Sequence, residues 1–141
     1  MFKKIFKKEK KESSNNKSVL VAALLIHAAK IDENYTDIEK KIIKEALVNL
    51  DNISSDQAED LMRLAEKKEV ESNQMLEFTR EIKKHPMEFR LKIIEIIWKI
   101  VYSDDISDNY ETNLMRRICG LLYISDKDNG IIKTKVQNLL K

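Results

Sequence analysis

A chain of 141 residues is one domain with room for a tail, and it is long enough to bury a core of ordinary size. Two Gly and one Pro leave few turns and argue against strand-rich folds. A composition 43% hydrophobic and 35% charged, rich in Leu, Ile, Lys, Glu and Ala, is that of an all-α soluble protein. Residues 1–17 hold seven Lys against Glu9 and Glu12, a net of +5, so residues 18–141 carry −3 and offer no basic face for nucleic acid.

The chain divides into a basic arm, residues 1–17, and a helical domain, residues 18–141. In the arm Phe2, Ile5 and Phe6 fall at i, i+3 and i+4, so one amphipathic turn can form, and the ESSNNK stretch reads as a linker. The arm has two readings: a flexible solubilising segment, or a contact with an anionic membrane surface. No apolar h-region follows the basic start, so no signal peptide is expected. The near-apolar run Val19–Ala29 is too short for a bilayer, which needs about 20 residues.

Seven helices follow. The first is expected after Ser18 as N-cap and runs to about Lys30, apolar nearly all round and therefore buried on most sides. The second runs from about Asp37 to Leu50. Ser54 and Gln57 have capping-box spacing and open the third. The fourth covers about Asn73 to Lys84, with Leu76 grouped with Met75, Phe78, Thr79 and Ile82. Pro86 suits the first position of the fifth, where its missing N–H costs nothing. The stripe Phe89, Ile93, Ile96, Ile97, Ile100 and Val101, widened by Leu91, Ile94 and Trp98, makes that helix central. The sixth spans about Asn109 to Leu122. Ser125 or Asp126 caps the seventh, in which Gly130 is tolerated at some cost.

One unit occurs twice, 72 residues apart. Asp32 to Glu39 and Asp104 to Glu111 each place an Asp and a Glu seven residues apart, with apolar helices before and after. The expected architecture is a compact bundle of about seven helices with a duplicated helix–acidic loop–helix unit, its two acidic loops brought together across a pseudo-two-fold axis. Glu39 and Glu111 have a structural reading as the far members of capping boxes, with Thr36 and Asp108 as caps. Asp32 and Asp104 sit at helix ends, where the dipole disfavours negative charge, so they are expected to meet loop N–H groups, a cation or open solvent. Within about 5 Å of each other they would repel by roughly 3 kcal/mol at an effective dielectric near 20, which a divalent cation, a shared proton or a Lys relieves. Hard oxygen ligands suit Ca²⁺, Mg²⁺ or Mn²⁺, so Asp32, Glu39, Asp104 and Glu111 are the candidate metal ligands. Neither loop has EF-hand spacing: the Gly position holds Asp37 or Asn109, and the Glu position Ile43 or Met115.

The other chemistry-bearing residues have plainer readings. Cys119 aligns with Leu47 and reads as a small core residue in a reducing compartment, with no disulfide. His27 reads as a core histidine bonded to a neighbour or, in a second reading, as a residue with a role beside the acidic loops. His85-Pro86-Met87 is similar to the His-Pro-Asp tripeptide of J domains, but Met replaces the essential Asp, so it reads as a helix start. No phosphate loop, nucleophile or open metal site points to an enzyme.

LLIHAAKID, YTDIEKKII and IIWKIVYSDDISDNYETNLMRRICGLLYISDKD together resemble the TerB-like tellurite-resistance domain over roughly residues 18–140. The family's loop is Ala-Asp-Gly with a Glu several residues on. Asp32 and Asp104 match its Asp, Glu39 and Glu111 its Glu, while Glu33 and Asp105 replace its Gly. The resemblance implies a seven-helix domain with an acidic patch suspected of binding cations, tied to tellurite and other stress responses and to membrane-associated complexes. A related domain forms the N-terminal part of a membrane-anchored DnaJ-type co-chaperone. The resulting expectation is a non-enzymatic stress-response module. It would be cytoplasmic or peripheral on the inner membrane, and its acidic loops would bind a divalent cation or a basic protein partner. A structural protein–protein adaptor without metal is the competing reading.

Overall fold

The computed structural model describes residues 17–30, 35–71, 75–103 and 109–139, the side chains of 109–112 excepted. Among these residues the fold is all-α, with seven helices and no strand. Helix α1 covers 17–29 and closes on a 3₁₀ turn at Lys30. Val21 to Ile26 are all 0–3% exposed, so this helix is sheathed on nearly every side, as its unbroken apolar run requires. It is already helical at Lys17, which places Ser18 inside the helix, buried, and not at its N-cap.

Helix α2, Asp37–Asp51, starts from Thr36 in an extended conformation and turns Ile43 and Leu47 inward. It stops at Asn52, whose φ of 52° is left-handed, a conformation Asn tolerates. Helix α3, Ser55–Glu71, opens with the expected box: Gln57 N donates to Ser54 Oγ at 3.1 Å, and Ser54 N donates to Gln57 Oε1 at 2.9 Å. It buries Ala58, Leu61, Met62 and Ala65.

Helix α4, Met75–Lys83, buries Met75, Phe78, Thr79 and Ile82. The Thr79 hydroxyl is satisfied in the core by donating to Met75 O at 3.2 Å. Leu76 does not join that set; it is 45% exposed.

Helix α5, Met87–Tyr102, begins one residue later than expected. Pro86, with ψ 157°, is still extended and serves as N-cap, its carbonyl accepting from Phe89 N and Arg90 N. Ile93, Ile94, Ile96, Ile97, Trp98, Ile100 and Val101 are buried, and α5 packs against both α2 and α7, the central position its composition called for.

Helix α6 is Asn109–Leu121 and helix α7 Asp126–Leu139. Leu114, Met115, Ile118 and Cys119 of α6 and Val136 of α7 complete a single core. Ser125, not Asp126, caps α7: its Oγ accepts from Asp128 N at 3.1 Å.

The duplication extends to whole helices. Helices α5, α6 and α7 repeat α1, α2 and α3, with α4 between the halves. The offset of 72 holds through α2 and α6, where Ile43 and Leu47 match Met115 and Cys119 as buried residues. Beyond them the second copy is one residue shorter. Asn52-Ile53-Ser54 matches Tyr123-Ile124-Ser125: a left-handed residue, an apolar residue tucked under the turn, then the serine that caps the next helix.

Candidate functional site

Of the four candidate ligands, Glu39 alone has a described side chain. Its Oε1 accepts from Thr36 N and Thr36 Oγ1, each at 2.9 Å, while Glu39 N donates back to Thr36 Oγ1 at 3.2 Å. The residue is 2% exposed. Its first role is therefore structural: it holds the extended entry of α2 and satisfies backbone groups that an open helix end leaves orphaned. Glu111 is the third residue of α6. Its side chain, the residues Asp32, Asp104 and Asp108, and the carboxyl separation of Asp32 and Asp104 lie outside the described residues.

The flanks of the first acidic segment are described, and α3 grips both. On the α1 side Lys30 Nζ lies 2.9 Å from Glu69 Oε2, and His27 Nδ1 lies 3.3 Å from Glu69 Oε1. On the α2 side the Tyr35 hydroxyl donates to Glu66 Oε1 at 3.3 Å. Lys30 and Lys40 lie over the Tyr35 ring, at 5.9 and 4.8 Å from its centroid. Burial, then the neighbouring Glu66 carboxylate, holds the Tyr35 hydroxyl well above its ordinary pKa, so it remains a donor throughout the neutral range. His27 is thus bonded to a neighbour, as expected, though its side chain keeps 26% exposure.

Sequence pattern alone does not single out Glu66 and Glu69. The available signal is that both prolong the buried face of α3, Glu66 four residues after Met62 and Glu69 four after Ala65.

On the α5 side of the second acidic segment the described bonds are between neutral groups, with Lys133 5.4 Å from the Trp98 ring centroid. Tyr102, which takes the place of Lys30, accepts from Gln137 Nε2 at 2.8 Å. Gln137 takes the place of Glu66 once the shorter offset of α7 is applied. Trp98 Nε1 donates to Asn129 Oδ1 at 2.8 Å, and Trp98 stacks on Tyr102 with ring centroids 5.5 Å apart. Ser103 Oγ donates to Ile100 O at 2.6 Å, closing the end of α5.

Among the described residues no group of three or more His, Cys, Asp and Glu side chains is placed to hold a metal. Glu69 is balanced by Lys30 and His27, and Glu39 Oε1 by the two Thr36 donors. A cation at the acidic segments would therefore depend on carboxylates from residues 31–34, 104–108 and Glu111, which lie outside the described side chains. Cys119 is 2% exposed, and burial, aided by Asp126, pushes its thiol up to about 12, so it is a protonated core residue at neutral pH. No helix among the described residues is long and apolar enough to cross a membrane.

This arrangement defines a duplicated all-α domain in which α3 holds the helix ends on both sides of the first acidic segment. A family model described as "Tellurite resistance protein TerB" matches residues 18–134, and the chain belongs to that family. Comparison with curated proteins and with solved structures gave no match.

Proposed function

We propose that this TerB domain is a non-enzymatic stress-response module whose acidic segments bind a hard divalent cation, Ca²⁺, Mg²⁺ or Mn²⁺. Asp32 and Asp104 are the principal ligands and Glu111 an additional one, while Glu39 keeps its place as a cap. The observation that carries this reading is the clamping of both flanks of the first segment, through Lys30–Glu69 and Tyr35–Glu66. Fixed flanks reduce the ordering a short acidic segment must undergo when it closes on an ion. Calorimetric titration with Ca²⁺ and Mn²⁺ tests it: wild type binds, and the Asp32→Asn/Asp104→Asn variant does not. Wild type that binds neither ion would sink the cation reading. It would leave the structural adaptor, which the capping role of Glu39 favours.

In the same reading the +5 arm, residues 1–17, brings the domain to an anionic membrane surface and a protein partner there. Six of its lysines precede residue 17, and each adds about 1 kcal/mol near such a surface. Sedimentation with anionic liposomes should follow those lysines; a variant with all six changed to Gln that sediments as well as wild type would remove the membrane role.

A further inference from the structure

A groove of about 440 Å³ runs between α5 and α7. Leu91, Ile131 and Ile132 form its apolar part, and Ile131 is 58% exposed. Glu88, Glu95 and Asp128 are its acids. Glu95 is paired with Lys135 at 3.0 Å. The side chains of Glu88 and Asp128 make no ion pair among the described residues, and although Lys92 also lines the groove its three acids outnumber its two lysines, so a net negative charge stands beside an exposed isoleucine.

The arm leaves the domain beside this groove. Lys17 Nζ lies 5.1 Å from the centroid of the Phe89 ring, on the first turn of α5 and next in sequence to Glu88. Preceding Lys17 are Phe2, Ile5 and Phe6 on one helical face and Lys3, Lys4, Lys7, Lys8, Lys10 and Lys11. The eleven residue-to-residue steps from Phe6 to Lys17 reach roughly 35 Å when extended, several times the length of two helical turns, about 11 Å. The groove therefore lies within reach, and the arm has the complementary chemistry: a small apolar face ringed by cations, against a small apolar patch edged by carboxylates.

We propose that residues 2–11 dock on their own domain in the α5–α7 groove. Phe2, Ile5 and Phe6 cover Leu91, Ile131 and Ile132, and the lysines face Glu88 and Asp128. A tethered segment is present at an effective concentration on the order of millimolar, so a contact weak between separate molecules is populated within one chain. The docked arm hides the residues that a membrane would use, so anionic lipid and the groove compete for it. The cation reading of the acidic segments is separate and stands or falls by its own titration.

The test is paramagnetic broadening in the full chain. A nitroxide is attached at Lys8→Cys; Cys119, 2% exposed, is shielded from the reagent. Docking broadens the amide signals of Leu91, Ile131 and Ile132 selectively. The broadening is lost when Phe2→Ser/Phe6→Ser is added, a change outside residues 18–134 that the family model matches, and again with Glu88→Lys/Asp128→Lys. Broadening absent from the groove, or unaltered by Phe2→Ser/Phe6→Ser, overturns the proposal. No broadening at the groove, together with co-sedimentation on anionic vesicles, assigns the arm to the membrane and overturns it equally.

Discussion

The two halves of the molecule solve the same problem with different chemistry. Each must fix an acidic segment between two helices and tie that corner to the third helix of its repeat. The first half does so around two carboxylates: Lys30 pairs with Glu69, His27 hydrogen-bonds to it, and the Tyr35 hydroxyl donates to Glu66. The second relies mainly on neutral bonds and ring packing at that corner: Trp98 on Asn129, Gln137 on Tyr102, and Trp98 stacked on Tyr102, with Lys133 over the Trp98 ring and the Lys135–Glu95 pair farther along α5. A charged tie responds to salt, pH and competing cations; a neutral one responds chiefly to loss of packing. Topology alone therefore does not make the halves equivalent, and solution conditions should act more strongly on the corner of the first.

Removing packing from the second half should give the largest effect. Trp98 is 3% exposed, so Trp98→Ala leaves a large cavity and strips Asn129 of its donor, lowering stability by about 3–5 kcal/mol in urea unfolding. Lys30→Met, in the first half, leaves Glu69 with His27 and should lower it by about 1 kcal/mol or less. Equal losses at the two sites would contradict the division into a packed tie and a charged one.

Alkaline pH separates the halves next. Cys119 in the second half has its thiol raised from 9.0 to about 12, and Tyr35 in the first is raised from 10.0. In each case the unfolded chain loses its proton first, so the stabilisation is complete below the unfolded pKa and falls as pH rises, by about 1.4 kcal/mol per unit for each group. Stability of the wild type should begin to fall near pH 9 and steepen above pH 10. Cys119→Ala removes the earlier phase and Tyr35→Phe the later one. A wild type with flat stability between pH 8 and 10.5, measured as urea midpoints, would mean that neither group is held as described.

Helix number and the central role of α5 were legible because apolar periodicity reports burial directly: Ile93, Ile97 and Ile100 can be satisfied in no other way. The caps at Thr36, Ser54 and Ser125 were legible because they are local, each needing only a residue three positions on. Leu76 was misplaced because apolar character does not fix a face. In a nine-residue helix the set Met75, Phe78, Thr79 and Ile82 defines the buried stripe, and Leu76 lies off it. Ser18 misled because a capping residue signals a helix start only where the helix is not already under way. In the candidate site Glu39 was legible as a cap. Glu66 and Glu69 were not, since an acid on α3 looks like solvated surface until the fold sets Tyr35, Lys30 and His27 against it.

Salt should discriminate the two ties more finely. Glu69→Gln removes the charge that Lys30 and His27 share and should lower stability by about 1 kcal/mol at low ionic strength, with the loss shrinking near 1 M salt. Gln137→Ala removes a neutral bond to Tyr102 at an exposed site and should lower stability by a few tenths of a kcal/mol whatever the salt. A salt-dependent Gln137→Ala or a salt-independent Glu69→Gln would reverse the assignment of charge to the first half.

The finest difference lies where each second helix ends. Asn52 and Tyr123 occupy the same left-handed position, with φ 52° and 56°. Asn is at ease there, whereas a bulky side chain gives up on the order of 1 kcal/mol. Tyr123 nevertheless supports a tight turn, with Ile124 N donating to Cys119 O at 2.9 Å and the following Ser125 capping α7. Its own ring is 65% exposed and meets Lys83, whose ammonium lies 4.4 Å from the ring centroid, a contact of small worth at a solvated site. Tyr123→Asn should therefore stabilise the protein, and Asn52→Tyr should destabilise it by a similar amount. The double exchange should return the urea midpoint close to wild type, because the two turns lie in different halves and share no hydrogen bond among the described residues that would couple them. If Tyr123→Asn destabilises instead, the ring contact with Lys83 outweighs the backbone, and the second half relies on aromatic packing even at its outermost turn.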